Sequence, residues 1–400
     1  MATLGMSVSY VDRQTLAAIA PSVTKALAID NARYGWLLSA FSMAYLVGAP
    51  LAGIVVDRLG ARRGFAAAVV VWSAVAGAHA LAGSFAVLFA LRILLGMAEA
   101  PSFPAAAQAI RKALPGARRP LAFGLLFTGS SIGAVVAAKL AVRLDAAYGF
   151  RVAFVGTALI GTLWIPAWLW VTRRAGDAAR EHEEDPPVPT RTVRPGRSDW
   201  LAVVTSPPVL RAIVAIVGSA PALMFVLNWT SKYLVESWHV PKEDVGNYLV
   251  AAPLLFDLGA VGFGWIASAG AHRRPLGETR LDLFLVSMLL AASLALAPLA
   301  TSPAMAIALC AASACGGGGL YALVTADMLS RVPVHRTSSA GGMTAAAQSL
   351  AHVVAGPLVG WTIDRTHGYT AALVGLGVAV VPTTLAFLAW PGLSSRGTGR

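Results

Sequence analysis

Twelve apolar runs, each close to the length that crosses a bilayer as a helix, take up most of this 400-residue chain. They lie at 2–27, 34–57, 64–83, 85–111, 120–144, 150–172, 207–235, 244–268, 281–300, 304–330, 338–363 and 369–390, with Gly, Pro and charged residues between them. Backbone polar groups in hydrocarbon find no water, so such runs are satisfied as α-helices. Twelve spans of roughly 20 residues need about 240 apolar positions. The chain is 57% apolar and only 12% charged, which matches that demand. Soluble domains carry about 25% charge, roughly twice as much. A disordered chain, a secreted disulfide scaffold and an ordinary cytosolic enzyme are thereby excluded. The fold class is an all-α membrane protein.

The 31 basic and 19 acidic residues leave a formal charge of +12. No basic stretch is long enough to grip nucleic acid, so that partner is excluded. The basic residues instead mark loops: Arg58, Arg62 and Arg63; Arg111, Lys112, Arg118 and Arg119; Arg173, Arg174, Arg191, Arg194 and Arg197; Arg273, Arg274 and Arg280; Arg331 and Arg336. Basic loops stay on the cytoplasmic side, which places both termini there and the chain in a cell (inner) membrane. Met1–Ala20 lacks a basic leading region and carries Asp12 and Arg13 where a signal peptide is apolar, so it reads as a span.

Four parts follow: a bundle at 1–172, a polar linker at 173–206, a second bundle at 207–390 and a cytoplasmic tail at 391–400. The linker holds Glu181, Glu183, Glu184 and Asp185 around His182 and reads as solvated chain, not a metal site. Cys310 and Cys315 sit in one apolar run and read as packing residues. The halves echo one another. Arg119 and Arg336, Gly149 and Gly368, Trp168 and Trp390 are 217, 219 and 222 residues apart. A duplicated six-helix unit places a binding site near the midplane between two halves.

Ionisable groups inside spans cost several kcal/mol, with estimates from about 2.5 upward, and mark function by default. Asp12, Arg13, Arg92, Glu99 and Asp257 are such groups. Arg92 and Glu99 are seven apart, two turns, and share a helix face. A proton-coupled carrier needs an acid that is desolvated in one state and neutralised by a cation in another. Asp12 with Arg13, and Glu99 with Arg92, supply these parts. A static ion-pair network tying the first and fourth helices is the alternative. Tyr45, Ser130, Ser131, Asn228, Trp229, Thr344 and Gln348 are candidate contacts for a hydroxyl-rich substrate. His352 reads as packed, Lys139 and Arg143 as snorkelling, and Asp327 as a partner of Arg331. Gly316 to Gly319 read as a close helix contact, since no phosphate-loop Lys follows.

One loop carries a specific pattern: Gly53-Ile-Val-Val-Asp57-Arg58-Leu-Gly60-Ala-Arg62-Arg63, with Gly60 expected to make a tight turn. It resembles the signature loop of the major facilitator superfamily, where it acts as a conformational latch. The matching loop of the second half keeps Gly264, Arg273 and Arg274 but has Ser268 where the acid would fall. Further segments resemble the anion:cation symporter branch of that superfamily: Tyr10-Val-Asp12-Arg13, Ser39-Ala-Phe-Ser-Met-Ala-Tyr45, Leu91-Arg92 through Gly96 and Glu99 to Pro104, Gly129-Ser-Ser-Ile-Gly133, and Pro253 to Gly259 with Asp257.

The resemblance implies a major facilitator fold of 12 transmembrane helices in two pseudo-symmetric six-helix halves. It also implies proton-coupled symport of a small organic anion, such as a hexuronate or aldonate. Asp12 and Glu99 match its proton-coupling acids, and Arg13 and Tyr45 match residues that face the anion. Protons are the coupling ion, and no metal, cofactor or enzymatic activity is expected. The lipid bilayer is the surrounding partner and the chain is expected to act as a monomer. A drug:proton antiporter of the same fold is the nearest rival, and a non-transporting receptor or scaffold is the rival of another class.

Overall fold

The computed structural model describes residues 1–103, 105–106, 109, 119–180, 205–269, 280–332 and 337–390. The side chains of Gly53, Asp57, Arg58 and Gly60, most of the 173–206 linker, the basic turns near 115 and 335, Arg273 and Arg274, and the 391–400 tail lie outside what is described. Among the described residues the regular structure is helical throughout. Seven of the helices are long and apolar enough to cross a membrane.

The helices are α1 (Ala2–Ala18), α2 (Ala20–Ala26), α3 (Asn31–Ala78), α4 (Phe85–Glu99), α5 (Arg119–Tyr148) and α6 (Phe150–Arg180). Then come α7 (Pro207–Asn228), α8 (Thr230–Trp238), α9 (Lys242–Tyr248), α10 (Ala251–Ala269), α11 (Leu281–Ala292), α12 (Pro303–Arg331), α13 (Thr337–Thr366) and α14 (Thr370–Ala389).

Local chemistry sets the ends. Asp30 caps α3 by accepting from the Arg33 amide at 2.7 Å, and the Ser84 hydroxyl accepts from the Val87 amide at the start of α4. Gly149 joins α5 to α6 at φ 86°, where a side chain would be strained. In the second half the left-handed position falls on His367 at φ 52°, one residue before its Gly counterpart.

The first expected span is broken at Ile19, because Pro21 has no amide hydrogen and crowds the carbonyl one turn earlier. Pro101 stops α4 in the same way just after Glu99. At the signature loop the expected reversal is present, although the backbone keeps helical hydrogen bonding from Asn31 to Ala78. Tyr45 lies against Arg13 and Phe65 against Gly5, places about 12 Å apart along α1, whereas a straight helix would set Tyr45 and Phe65 about 30 Å apart, so α3 doubles back between them.

The chain divides into two compact units. One is Met1–Val193 with Ser231–Val250, and the other is Arg194–Thr230 with Ala251–Arg400. In the first unit, Phe65, Trp72, Trp164 and Trp168 form an aromatic core, with Phe65 5.1 Å from Trp164 and Trp164 stacked on Trp168 at 5.1 Å. Trp168 Nε1 donates to the Arg62 carbonyl at 3.0 Å, and Arg62 Nη2 donates to the Leu169 carbonyl at 3.4 Å. Arg63 is exposed.

Two glycines bring the helices close. A Cβ at Gly96 would stand 2.4 Å from the Phe41 carbonyl oxygen, so α4 lies directly on α3. A Cβ at Gly133 would stand 2.3 Å from the Ser7 carbonyl oxygen, so α5 lies directly on α1. These approaches squeeze α1, α3 and α4 into the arrangement that holds the charged groups. The Ser231–Val250 segment is tied to the same unit by polar contacts. Ser231 Oγ donates to the Ala18 carbonyl at 2.7 Å, Lys232 Nζ to Thr24 Oγ1 at 3.2 Å and Lys242 Nζ to Ser22 Oγ at 2.7 Å.

In the second unit Asp327 accepts from Arg331 at 3.0 Å, as expected, and also from the buried Arg211. Arg211 lies 4.4 Å over the Phe387 ring. A Cβ at Gly318 would stand 2.2 Å from the Phe256 carbonyl oxygen, so the glycine run is a close contact between α12 and α10.

Candidate functional site

In the first unit, side chains of α1, α3 and α4 gather around Glu99, which is wholly buried. Arg13 on α1 donates to one carboxylate oxygen, Oε2, through Nη2 at 3.0 Å and Nε at 3.2 Å. Ser9 Oγ, one turn earlier on α1, donates to the same oxygen at 2.8 Å. The other oxygen, Oε1, is buried and accepts no hydrogen bond from the described residues. Three donors on a charge of one sign offset the cost of burying it.

Arg13 is held from its faces as well. Its guanidinium carbon lies 4.6 Å from the Tyr10 ring centroid, 4.5 Å from Phe41 and 5.1 Å from Tyr45. A guanidinium among aromatic faces is stabilised by their quadrupoles and keeps its fork in one plane. Arg13 still exposes 20% of its side chain, whereas Glu99 exposes none. It is therefore the more accessible member of the pair. Asp12 is 3% exposed, and among the described residues neither of its carboxylate oxygens has a hydrogen-bond partner.

The pairing differs from the sequence expectation. Asp12 does not hold Arg13, because adjacent residues on a helix point about 100° apart. Arg92 does not hold Glu99 either. Two turns separate them by about 10 Å along the axis. Arg92 Nε instead reaches the Leu37 carbonyl at 3.4 Å, and its guanidinium lies 4.8 Å from the Phe41 ring. Phe41 thus contacts both guanidinium groups. Arg92 is 3% exposed, so it supports the cluster from within and does not line an opening.

The uncharged candidates are spread over both units. Ser130 and Ser131 lie on α5 beside the Gly133 contact, Ser131 buried and Ser130 half-buried. In the second unit, Asn228 Nδ2 donates to the Met224 carbonyl at 3.0 Å and Thr344 Oγ1 to the Gly341 carbonyl at 2.9 Å. Both bond to their own helices. Trp229 is completely buried and stacks on Phe225 at 6.5 Å. Asp257 and Gln348 are half-buried. Among the described residues no cluster of His, Cys, Asp and Glu could hold a metal ion.

Sequence reasoning missed Ser9, Tyr10 and Phe41. Ser9 and Arg13 are four apart, and that spacing alone puts them on one face. The ring that touches both guanidinium groups required knowing how α3 lies on α4.

Comparison with known proteins adds the remaining findings. The family model described as the Major Facilitator Superfamily matches residues 2–356. The hexuronate transporter of Escherichia coli (strain K12) is 36% identical over 185 residues, 46% of this chain and 43% of that protein. The hexuronate transporter of Bacillus subtilis (strain 168) is 25% identical over 389 residues, 95% of this chain and 91% of its own length. The crystal structure of a bacterial homologue of the human lysosomal transporter Spinster, in an inward-facing and unoccupied conformation, superposes with a TM-score of 0.77 at 17% identity, covering 97% of this chain and 93% of that one. That likeness is one of fold.

Proposed function

The chain belongs to the major facilitator superfamily, and from that premise we propose that it is a proton-coupled symporter of small organic anions, with sugar acids as the substrate class. The observation that carries this reading is the Arg13–Glu99 pair, a buried acid neutralised by a partly exposed cation.

The chemistry follows from competition for one guanidinium. While Glu99 is ionised, Arg13 is engaged with it. When Glu99 takes a proton, the ion pair is released and the fork of Arg13 is free for a substrate carboxylate, which it binds bidentately. Anion and proton then share the site with the charge balance unchanged, and the loaded carrier moves without an unpaired charge in hydrocarbon. Asp12, which has no partner to lose, is the second proton site. Tyr10 and Tyr45, which flank Arg13, supply hydroxyls to a polyhydroxylated substrate.

Protons are the coupling ion and no prosthetic group takes part. The Gly53–Arg63 segment is the cytoplasmic latch of this reading. Asn228, Asp257, Thr344 and Gln348 are candidate substrate contacts on this reading. The protein acts as a monomer in the cell (inner) membrane, with both termini in the cytoplasm.

The test is uptake of labelled compounds into proteoliposomes with and without an inward proton gradient, using hexuronates, aldonates, neutral hexoses and a lipophilic cation. Accumulation of a sugar acid that rises with the gradient is expected. Movement of the cation alone would replace symport of anions by drug:proton antiport. Transport of no compound would favour a receptor or scaffold.

A further inference from the structure

The two oxygens of Glu99 differ, and a serine makes them differ. Ser9 Oγ, Arg13 Nη2 and Arg13 Nε all donate to Oε2, while the buried Oε1 accepts nothing. Serine inside a helix ordinarily turns its hydroxyl back to a carbonyl of the preceding turn. Two neighbours on α1 do so: Ser7 Oγ donates to the Thr3 carbonyl at 3.1 Å and Thr15 Oγ1 to the Val11 carbonyl at 2.7 Å. Ser9 is completely buried and points across to another helix instead.

We infer that Ser9 is a positioning residue for proton coupling, its hydroxyl occupying Oε2 so that the arriving proton is taken by Oε1. This rests on the reading of Glu99 as a coupling acid. In the step, a hydronium ion of the aqueous phase gives up its proton and leaves water as its O–H bond breaks, an O–H bond forms at Oε1, and Oε2 becomes the carbonyl oxygen. Arg13 leaves Oε2, and Ser9 remains as the donor to it. The carboxyl group keeps one hydrogen bond and a fixed orientation in both protonation states, so the proton returns by the same oxygen. The charged and titratable groups around Glu99 are Arg13, Asp12 and Tyr10 on α1, Tyr45 on α3 and Arg92 on its own helix.

Infrared difference spectra of the full chain in proteoliposomes, titrated without substrate, test this directly. The carboxylic C=O band that titrates in the wild type and vanishes in Glu99→Gln reports the protonated acid. A hydrogen-bonded C=O stretches at lower frequency, so Ser9→Ala is expected to move that band up. Loss of a donor that favours the ionised form also raises its midpoint by about one pH unit, tenfold in proton affinity.

Ser9→Thr and Ser9→Val have the same shape and differ in the hydroxyl. Thr should restore the wild-type band and midpoint, and Val should match Ala, which keeps the comparison valid if Ala disturbs assembly. An unchanged frequency and midpoint in Ala and Val, equal shifts in Thr and Val, or failure of every Ser9 variant to assemble would overturn the inference. Failure of the coupling reading looks different: no band sensitive to Glu99→Gln titrates in the wild type.

Discussion

Glu99→Gln is expected to abolish uphill accumulation of the transported sugar acid while leaving downhill exchange across the membrane in place. Glutamine keeps the length and shape of the side chain and mimics the neutral acid: its carbonyl still accepts from Ser9, and Arg13 is left free for the substrate carboxylate. What it loses is the site that takes and releases a proton. For one proton per anion, accumulation follows the gradient at tenfold per pH unit, because one unit is 1.36 kcal/mol. In the variant that ratio falls to one. Counterflow, in which unlabelled anion inside draws labelled anion in, needs binding and reorientation but no net proton movement. Retained counterflow with lost accumulation separates coupling from folding. Wild-type accumulation in the variant would remove Glu99 from the coupling step.

Arg13→Ala should produce the other large effect, loss of carboxylate binding. A bidentate pair contributes two charge-assisted hydrogen bonds, each worth about 1.5–3 kcal/mol, so affinity should fall by roughly 100-fold or more. Arg13→Lys should recover only part of it. An ammonium is a point charge that cannot bridge both oxygens, and it fits the Tyr10, Phe41 and Tyr45 rings less well than a flat guanidinium. Equilibrium binding of a labelled sugar acid to detergent-purified protein measures this. The acid group of the substrate should matter more than its hydroxyls, so a hexuronate and its amide should differ in the wild type and converge in Arg13→Ala. Unchanged affinity for the hexuronate would contradict the role of Arg13.

The spans were legible because hydrocarbon leaves the backbone no alternative to the helix, and α5, α12, α13 and α14 begin and end close to where their apolar runs do. Proline breaks were readable in principle, since Pro21 and Pro101 stand where α1 and α4 stop. The reversal after the second span was legible too, from the basic Arg58, Arg62 and Arg63, whereas the helical hydrogen bonding that runs through it was not.

At the site, the identities of Asp12, Arg13 and Glu99 as buried ionisable groups were legible from the cost of charge at bilayer depth. Their pairing was not, because neighbours in sequence were taken as neighbours in space. Helical geometry sends Asp12 and Arg13 apart and brings Arg13 to Glu99, 86 residues away. Ser9 escaped notice since a hydroxyl in an apolar helix ordinarily bonds to its own backbone. Trp229 is a further case: its place beside Asn228 suggests a sugar contact, and only packing shows the ring against Phe225.

Proton movement accompanying the substrate is the most direct measurement. Proteoliposomes in weakly buffered medium, with no imposed gradient, receive a sugar acid from outside while external pH and labelled uptake are recorded together. Alkalinisation of the medium in fixed ratio to the anion taken up is expected, absent in Glu99→Gln. Entry of the sugar acid with no change in external pH would contradict proton coupling at this site.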